Sequence, residues 1–336
     1  MIEPLLEVRN LKKYFDVKGQ ALHAVDDVSF TINEGETMGL VGESGCGKTT
    51  VGNLIVRLLD ETSGSILFRG EDITKYSKKK KRELCKDIQI IFQDPYTSLN
   101  PKKTVRKILG EAFIVQHALS ARKLDARITE LCTLTNIPLE LLDKYPHELD
   151  GGKRQTIGVA RAVSLSPKLI VCDEPVSSLD VSIQAQIINM MMDLQKKKKL
   201  TYLFISHDLS VVKHISTRIK VMYLGKIVEE AFTDDLFENP QHPYTQALLS
   251  AVPSMKAGRD KRRIVLEGDV PSPIDPAPGC RFRQRCWLAK EICSNIEPEL
   301  SKTSQSEHRV ACHFAGMDKT DDQDVAGTES EGVIEG

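Results

Sequence analysis

Residues Gly42-Glu43-Ser44-Gly45-Cys46-Gly47-Lys48-Thr49 read G-x-x-x-x-G-K-[ST] directly after the apolar run Met38-Gly39-Leu40-Val41. A strand that ends in a glycine-rich turn and reopens as a helix leaves several backbone N–H groups aimed at one spot, where the helix dipole also favours negative charge. Such a turn cradles phosphates. The glycines allow close approach, Lys48 reaches the β- and γ-phosphates, and the Thr49 hydroxyl takes a Mg²⁺ position. A helix opening at Thr50 is predicted over 50–59, with Val51, Leu54, Ile55 and Leu58 on one face. The loop makes a nucleoside triphosphate the ligand and leaves open what its energy is used for.

The chain has 336 residues, enough for roughly two domains. A hydrophobic content of 40%, 28% charged residues and a net charge of -1 describe an ordinary globular chain with no basic field for nucleic acid. The runs Lys78 to Arg82 and Lys196 to Lys199 are local charge, and the first reads as a solvated loop rather than a lipid or RNA contact. No apolar run of about 18 residues is present, and the N-terminus, with Glu3 and Glu7, lacks a signal-type apolar core, so a cytosolic compartment is expected. Four of the eight cysteines, Cys46, Cys85, Cys132 and Cys172, are isolated, whereas Cys280, Cys286, Cys293 and Cys312 crowd one segment. In a reducing compartment such crowding suggests metal more than disulfides.

Strands are predicted at Leu5 to Leu11 and Val28 to Ile32, flanking a polar loop in which Tyr14 or Phe15 can stack on a base. A strand from Ile88 to Phe92 ends at Gln93, a polar group placed to touch Mg²⁺ or the attacking water. From Thr104 to Leu149 the pattern is helical, with Val105, Ile108, Leu109, Ala112 and Phe113, then Ile128, Leu131, Cys132 and Leu134, at three-to-four spacing. Leu169-Ile170-Val171-Cys172-Asp173-Glu174 is an apolar strand ending in two carboxylates: Asp173 suits Mg²⁺, and Glu174 suits polarising the hydrolytic water. A last strand, Thr201 to Ile205, carries His207 at its carboxyl end, where α/β sheets bind ligands and a γ-phosphate is within reach.

The phosphate loop, Gln93, Leu149-Asp150-Gly151-Gly152-Lys153, Asp173-Glu174, Ser178-Leu179-Asp180 and His207 resemble, in order and spacing, an ABC-transporter ATPase subunit. Phe92-Gln93-Asp94-Pro95-Tyr96-Thr97-Ser98-Leu99-Asn100-Pro101, Tyr145-Pro146-His147-Glu148-Leu149 and the segment from Asn239 to Leu249 are similar to the oligopeptide and dipeptide importer group. The resemblance covers residues 1 to about 315. It implies a P-loop ABC cassette, with a RecA-like parallel sheet core, added antiparallel strands and an inserted helical subdomain. It also implies ATP and Mg²⁺ as cofactors and a peripheral place at the cytoplasmic face of the cell membrane. The partners implied are a second ATPase subunit arranged head to tail, two permeases and, indirectly, an extracytoplasmic solute-binding protein. Phe15 resembles the aromatic that stacks on adenine, Glu174 the catalytic base, His207 the γ-phosphate sensor, Gln93 the Mg²⁺-linked lever and Asp180 the dimer contact. The alternatives are the ATPase of a nickel or chelated-metal importer and a soluble ABC ATPase with no permease.

One departure matters. The family's signature starts Leu-Ser-Gly-Gly and continues with Gln, whereas this chain places Asp150 at the serine and Lys153 after Gly151 and Gly152. A carboxylate repels the partner's γ-phosphate where a hydroxyl would donate to it. At about 4 Å and an effective dielectric near 20 the cost is on the order of 4 kcal/mol, less whatever Lys153 neutralises. An asymmetric pair with a different partner chain is therefore expected.

The cassette is expected over 1–253, its helical subdomain over about 104–164, a cysteine-rich region over 254–316 and a disordered acidic tail over 317–336. Asp269 to Gly279 reads as a proline-rich linker. The x5, x6 and x18 spacings of Cys280, Cys286, Cys293 and Cys312 lack the C-x-x-C pairs of zinc modules and suit a [4Fe–4S] cluster better. Zinc, with His308 and His313 as further candidates, and unmetallated thiols are the other readings.

Overall fold

A computed structural model of the chain describes residues 3–116, 120–252, 263–303 and 307–317. The expected acidic tail after Met317 lies outside them. In chain order the first elements are β1 (Leu6–Val17), β2 (Gln20–Ile32), β3 (Thr37–Val41), α1 (Lys48–Ile55), β4 (Ser63–Phe68), β5 (Glu71–Asp72), α2 (Lys78–Leu84), β6 (Ile88–Ile91) and α3 (Pro95–Ser98). The helices α4 (Val105–Gln116), α5 (Ala121–Leu134) and α6 (Gly151–Val163) come next. They are followed by β7 (Leu169–Asp173), α7 (Val181–Lys198), β8 (Thr201–Ser206), α8 (Leu209–Ile215), β9 (Arg218–Tyr223) and β10 (Lys226–Phe232). The last elements are α9 (Thr233–Glu238), α10 (Pro243–Ser250), α11 (Glu291–Asn295), β11 (Ser301–Lys302) and β12 (Arg309–Val310).

Two sheets form. A four-stranded sheet runs β2-β1-β4-β5, and an eight-stranded sheet runs β11-β12-β10-β9-β3-β8-β7-β6, parallel from β9 to β6 and antiparallel beyond β9. Strands β3, β7 and β8 are buried along their whole length, as strands covered on both faces must be, which is why they read as unbroken apolar runs. Their alternate residues serve two cores. Ile170, Cys172, Tyr202 and Phe204 face the core shared with α4 to α7, and Leu169, Val171, Leu203 and Ile205 face the one shared with α1 and the first sheet. Gly52 lets α1 lie close on this sheet, because a Cβ there would meet Val171 and Ile205 at 3.0 Å.

Several expectations are corrected. The polar stretch around Tyr14 and Phe15 is strand, not loop: β1 and β2 form one long hairpin reversed at Lys18 (φ 55) and Gly19 (φ 83), a pair of left-handed residues that matches the strand twist. The helix after the phosphate loop stops at Ile55, since Arg57 is left-handed (φ 61), and Leu58 is 60% exposed. Lys78 to Arg82 is helical, started by Ser77 accepting from the Lys80 N–H. The proline-rich stretch is docked rather than free: Pro273 accepts from the His23 N–H, Asp275 donates to Ala21, and Ile274 bridges Leu22.

Candidate functional site

Parallel pairing brings the carboxyl ends of β6, β7, β8 and β3 to one edge, with Ile91 opposite Cys172, Asp173 opposite Ile205, and Val41 opposite Ser206. The residues that follow those strands are Gln93, Glu174, His207 and the phosphate loop, so strand order alone gathers motifs scattered through the sequence. Gly47 caps α1 in the left-handed region (φ 107), and a Cβ there would strike the Ala24 carbonyl at 2.1 Å. Gly42 (φ 153) is equally closed to side chains, with the Met222 carbonyl 2.1 Å away. Gly45 (φ 80), Ser44 and Thr49 are exposed, and Glu43 and Thr50 are half-buried. Burial raises the pKa of the Cys46 thiol.

Lys48 is 4% exposed, and its ammonium donates to the carbonyls of Gly42 at 2.8 Å and Glu43 at 2.9 Å. The Thr49 hydroxyl donates to Asp173 Oδ1 at 3.0 Å. Burial raises the Asp173 pKa, with Thr49 opposing it and Glu174 adding to it. Glu174 is left-handed (φ 45), strained for a non-glycine residue, and its N–H is held by the Ile205 carbonyl at 2.9 Å. Its carboxylate accepts from Gln93 Nε2 at 3.1 Å and lies 3.1 Å from His207 Nδ1. Hydroxyl, carboxylate and amide oxygens are hard donors of the kind Mg²⁺ takes, so this set fits that ion.

The remaining predicted nucleotide-site residues are Phe15, Asp150, Gly151, Gly152 and Asp180. Phe15 is half-buried in β1, with the Lys13 ammonium 5.0 Å from its ring centre, while its neighbour Tyr14 stacks on His23 at 4.0 Å and donates to Asp26 at 2.5 Å. Asp150 caps α6, accepting from the Lys153 N–H at 2.8 Å and pairing with the Lys153 ammonium at 2.9 Å, which lowers its pKa. Among the described residues no hydrogen bond joins it to the phosphate loop. Asp150, Gly151, Gly152, Asp180 and Gln93 instead line one groove of about 560 Å³. Asp180 precedes α7, its side chain exposed and capping nothing.

The four clustered cysteines are free thiols. Backbone N–H groups of Phe282 and Arg283 point at Cys280, of Leu288 at Cys286 and of Phe314 at Cys312. Burial pushes Cys286 up to about 12 and Cys312 up to about 11. Among the described residues, however, no group of three or more His, Cys, Asp or Glu is disposed to hold a metal ion. The expectation of an iron–sulfur cluster or zinc at Cys280, Cys286, Cys293 and Cys312 therefore finds no closed ligand set. The two histidines are engaged elsewhere, His308 with Glu229 at 2.7 Å and His313 with the Ile296 carbonyl at 3.0 Å.

Two residues that touch the phosphate loop carry no sequence signal that places them there. Tyr244 accepts from the Glu43 N–H at 2.8 Å, and Arg285 grips the Glu43 carboxylate. Each is about 200 residues or more distant in the chain, so no local spacing announces the contact.

A family profile for ABC transporters matches residues 25–177, and one for the C-terminal region of oligopeptide/dipeptide transporters matches residues 228–293. The chain is 51% identical over 322 residues to the oligopeptide transport ATP-binding protein AppF of Bacillus subtilis, covering 93% of this chain and 98% of that protein. It is 44% identical over 315 residues to the dipeptide transport ATP-binding protein DppF of Haemophilus influenzae, covering 92% and 96%. In fold it is similar to the ATP-binding cassette MJ0796, solved as a dimer bound to ADP and Pi, with a TM-score of 0.63, 24% identity and coverage of 68% of this chain and 98% of that one. It is also similar to cbiO1 of Clostridium perfringens, with a TM-score of 0.64, 26% identity and coverage of 70% and 91%. The chain belongs to the ABC transporter ATP-binding proteins, within the oligopeptide and dipeptide transport group.

Proposed function

We propose that this chain is the ATP-hydrolysing subunit of an importer for oligopeptides or dipeptides, bound peripherally under two permeases at the cytoplasmic face of the membrane. The observation that carries the reading is the convergence of Lys48, Thr49, Asp173, Glu174, Gln93 and His207 at one sheet edge, in a chain so close to named peptide-transport ATPases. Among the described residues no helix is long and apolar enough to cross a membrane; this reading assigns the spanning segments to the permeases.

In this reading the adenine stacks on Phe15, and the loop N–H groups from Gly42 to Thr50 take the phosphates. Lys48 exchanges its bonds to the Gly42 and Glu43 carbonyls for phosphate oxygens. Thr49, Gln93 and Asp173 would hold Mg²⁺, which would offset the charge of the triphosphate. Glu174 orients the attacking water and takes its proton, and His207 holds Glu174 from one side while it reads the γ-phosphate. The second cassette closes over the nucleotide at Asp180, and the groove beside Gln93 links the site to the signature turn. Since Asp150 is an ionised carboxylate, the partner's nucleotide meets a repulsive signature while this chain's nucleotide uses the partner's own. A different chain with an intact signature is the fitting mate.

The finer parts of the reading concern the C-terminal half. We divide the chain into a cassette to residue 253, with the helical subdomain over 104–164, and a cysteine-rich region to 316. The finer reading of this region is a soft metal held by thiolates, favoured by the backbone donors to Cys280, Cys286 and Cys312 and opposed by the burial that keeps those thiols protonated. Iron, acid-labile sulfide and zinc analysis of anaerobically purified protein tests that part. Metal-free protein with full activity overturns it.

The whole reading is tested by reconstituting the chain with its permeases and mate in vesicles and following ATP-driven peptide uptake. Lys48→Ala is expected to abolish both uptake and binding of labelled ATP. Uptake that proceeds without this chain sinks the assignment.

A further inference from the structure

The cysteine-rich region is a long way from the phosphate loop in sequence and in direct contact with it in space. Glu43, the residue after the first loop glycine, has its carboxylate held by two parallel bonds from Arg285, Nη1 to Oε2 at 2.7 Å and Nη2 to Oε1 at 3.1 Å. The Arg285 side chain is 7% exposed, and that of Glu43 28%. The Glu43 N–H is fixed separately by the Tyr244 hydroxyl at 2.8 Å. Tyr244 is fully buried, with its ring 5.4 Å from that of Phe282, three residues before Arg285. At the other end of the loop, the Cys46 carbonyl accepts from the Gly225 N–H at 2.9 Å. The Leu224–Gly225 turn is itself tied down by Arg281, which donates to the Leu224 carbonyl and to Asp26. Segment 281–285 thus reaches the phosphate loop at Glu43 directly and at Cys46 through this turn.

A phosphate loop works by presenting N–H groups in a fixed shape, and a carboxylate on its rim works against that by repelling the ligand. Bidentate Arg–carboxylate pairing removes both difficulties: it neutralises the charge and fixes the side chain's direction. We propose that Arg285 is a positioning residue for nucleotide binding, acting through Glu43 to hold the phosphate loop open to ATP and free of net negative charge. The cysteine-rich region is thereby part of the nucleotide site. The inference rests on the ATPase reading and goes beyond it, because that reading places nothing after His207 at the nucleotide.

The experiment measures ATP affinity of the full-length chain with labelled ATP, and KM and kcat of its reconstituted complex. Arg285→Gln is expected to raise Kd and KM for ATP about tenfold with kcat changed less than about twofold, the loss expected for one charge-assisted bidentate pair. Adding Glu43→Gln to that variant removes the bare carboxylate and is expected to restore KM to within about threefold of the parent, a rescue that damaged folding does not produce. Arg285→Lys keeps the charge without the fork and falls between the two; it replaces Arg285→Gln if the latter does not fold. An unchanged KM in the folded Arg285 variant, or a double variant no better than the single one, overturns the proposal. Lys48→Ala serves as the control: ATP binding that survives it overturns the ATPase reading itself, whereas ATP binding lost there and unaltered at Arg285 overturns the positioning role alone.

Discussion

The Thr49 hydroxyl donates to Asp173 Oδ1 at 3.0 Å, tying the first turn of α1 to the end of β7 across 124 residues of chain. The bond places a hydroxyl and a carboxylate as neighbours beside the phosphate loop, and burial makes the ionised carboxylate costly there. A divalent cation reverses that cost by favouring the ionised form. Asp173→Asn is therefore expected to cut Mg²⁺-dependent ATP turnover by about 100-fold or more, while ATP binding measured without Mg²⁺ changes little. Equal losses in both assays would place Asp173 in the scaffold rather than at the metal.

Glu174 has two partners, Gln93 at 3.1 Å and His207 at 3.1 Å, and a strained backbone (φ 45) that holds it at the sheet edge. Glu174→Gln keeps size and hydrogen bonding but removes the proton acceptor. Turnover is expected to fall by about 10²- to 10⁴-fold with ATP still bound. His207→Ala acts through the same carboxylate, so its effect on the Glu174→Gln background is expected to be far smaller than on the parent chain. Independent, additive losses would separate the two residues.

What the sequence disclosed about this site was local. Gly42 to Thr49 and Asp173-Glu174 could be read because the backbone shape and the chemistry lie within a few residues of one another, and parallel strand order supplied the assembly. Strand β1 is only partly legible, because a hairpin end facing solvent carries the polar composition of a loop, and only the pair Lys18-Gly19 marks the reversal. The Arg285–Glu43 pair had no periodic signal at all: 242 residues separate its partners, and the three arginines between Cys280 and Cys286 look alike until the fold aims one of them at the phosphate loop. The proline-rich stretch misled for the opposite reason. Its composition reports that it forms no helix, not that it is free of contacts.

Asp150 offers a test with little structural side effect. Serine is as good a helix cap as aspartate, so Asp150→Ser keeps the bond to the Lys153 N–H and removes only the charge. If the carboxylate repels the partner's γ-phosphate, ATP turnover of the reconstituted complex rises several-fold, and Lys153→Gln with Asp150 retained lowers it. Steady-state turnover of the three complexes, at matched salt because exposed charges are screened, decides the matter. Indistinguishable rates would show the acidic signature to be harmless.

His242 should make the fold acid-sensitive. It is 1% exposed, its Nδ1 accepts from the Tyr244 N–H at 3.0 Å, and Tyr244 in turn holds Glu43 of the phosphate loop. An accepting Nδ1 requires the neutral ring, and burial brings the folded pKa down from 6.5 to about 4, with Glu229 opposing. Between those values the unfolded chain binds a proton that the folded chain does not. Stability contributed by neutral His242 is therefore complete above about pH 6.5, declines as pH falls and is gone below about pH 4, on the order of 3 kcal/mol in all. His242→Asn keeps a capping acceptor without a titrating group. Urea unfolding of both proteins at pH 7 and pH 4.5 is expected to show a larger loss for the parent chain, and its Tyr244-held phosphate loop should lose ATP affinity over the same range. Equal losses in the two proteins would mean that the acid sensitivity of this fold comes from another group.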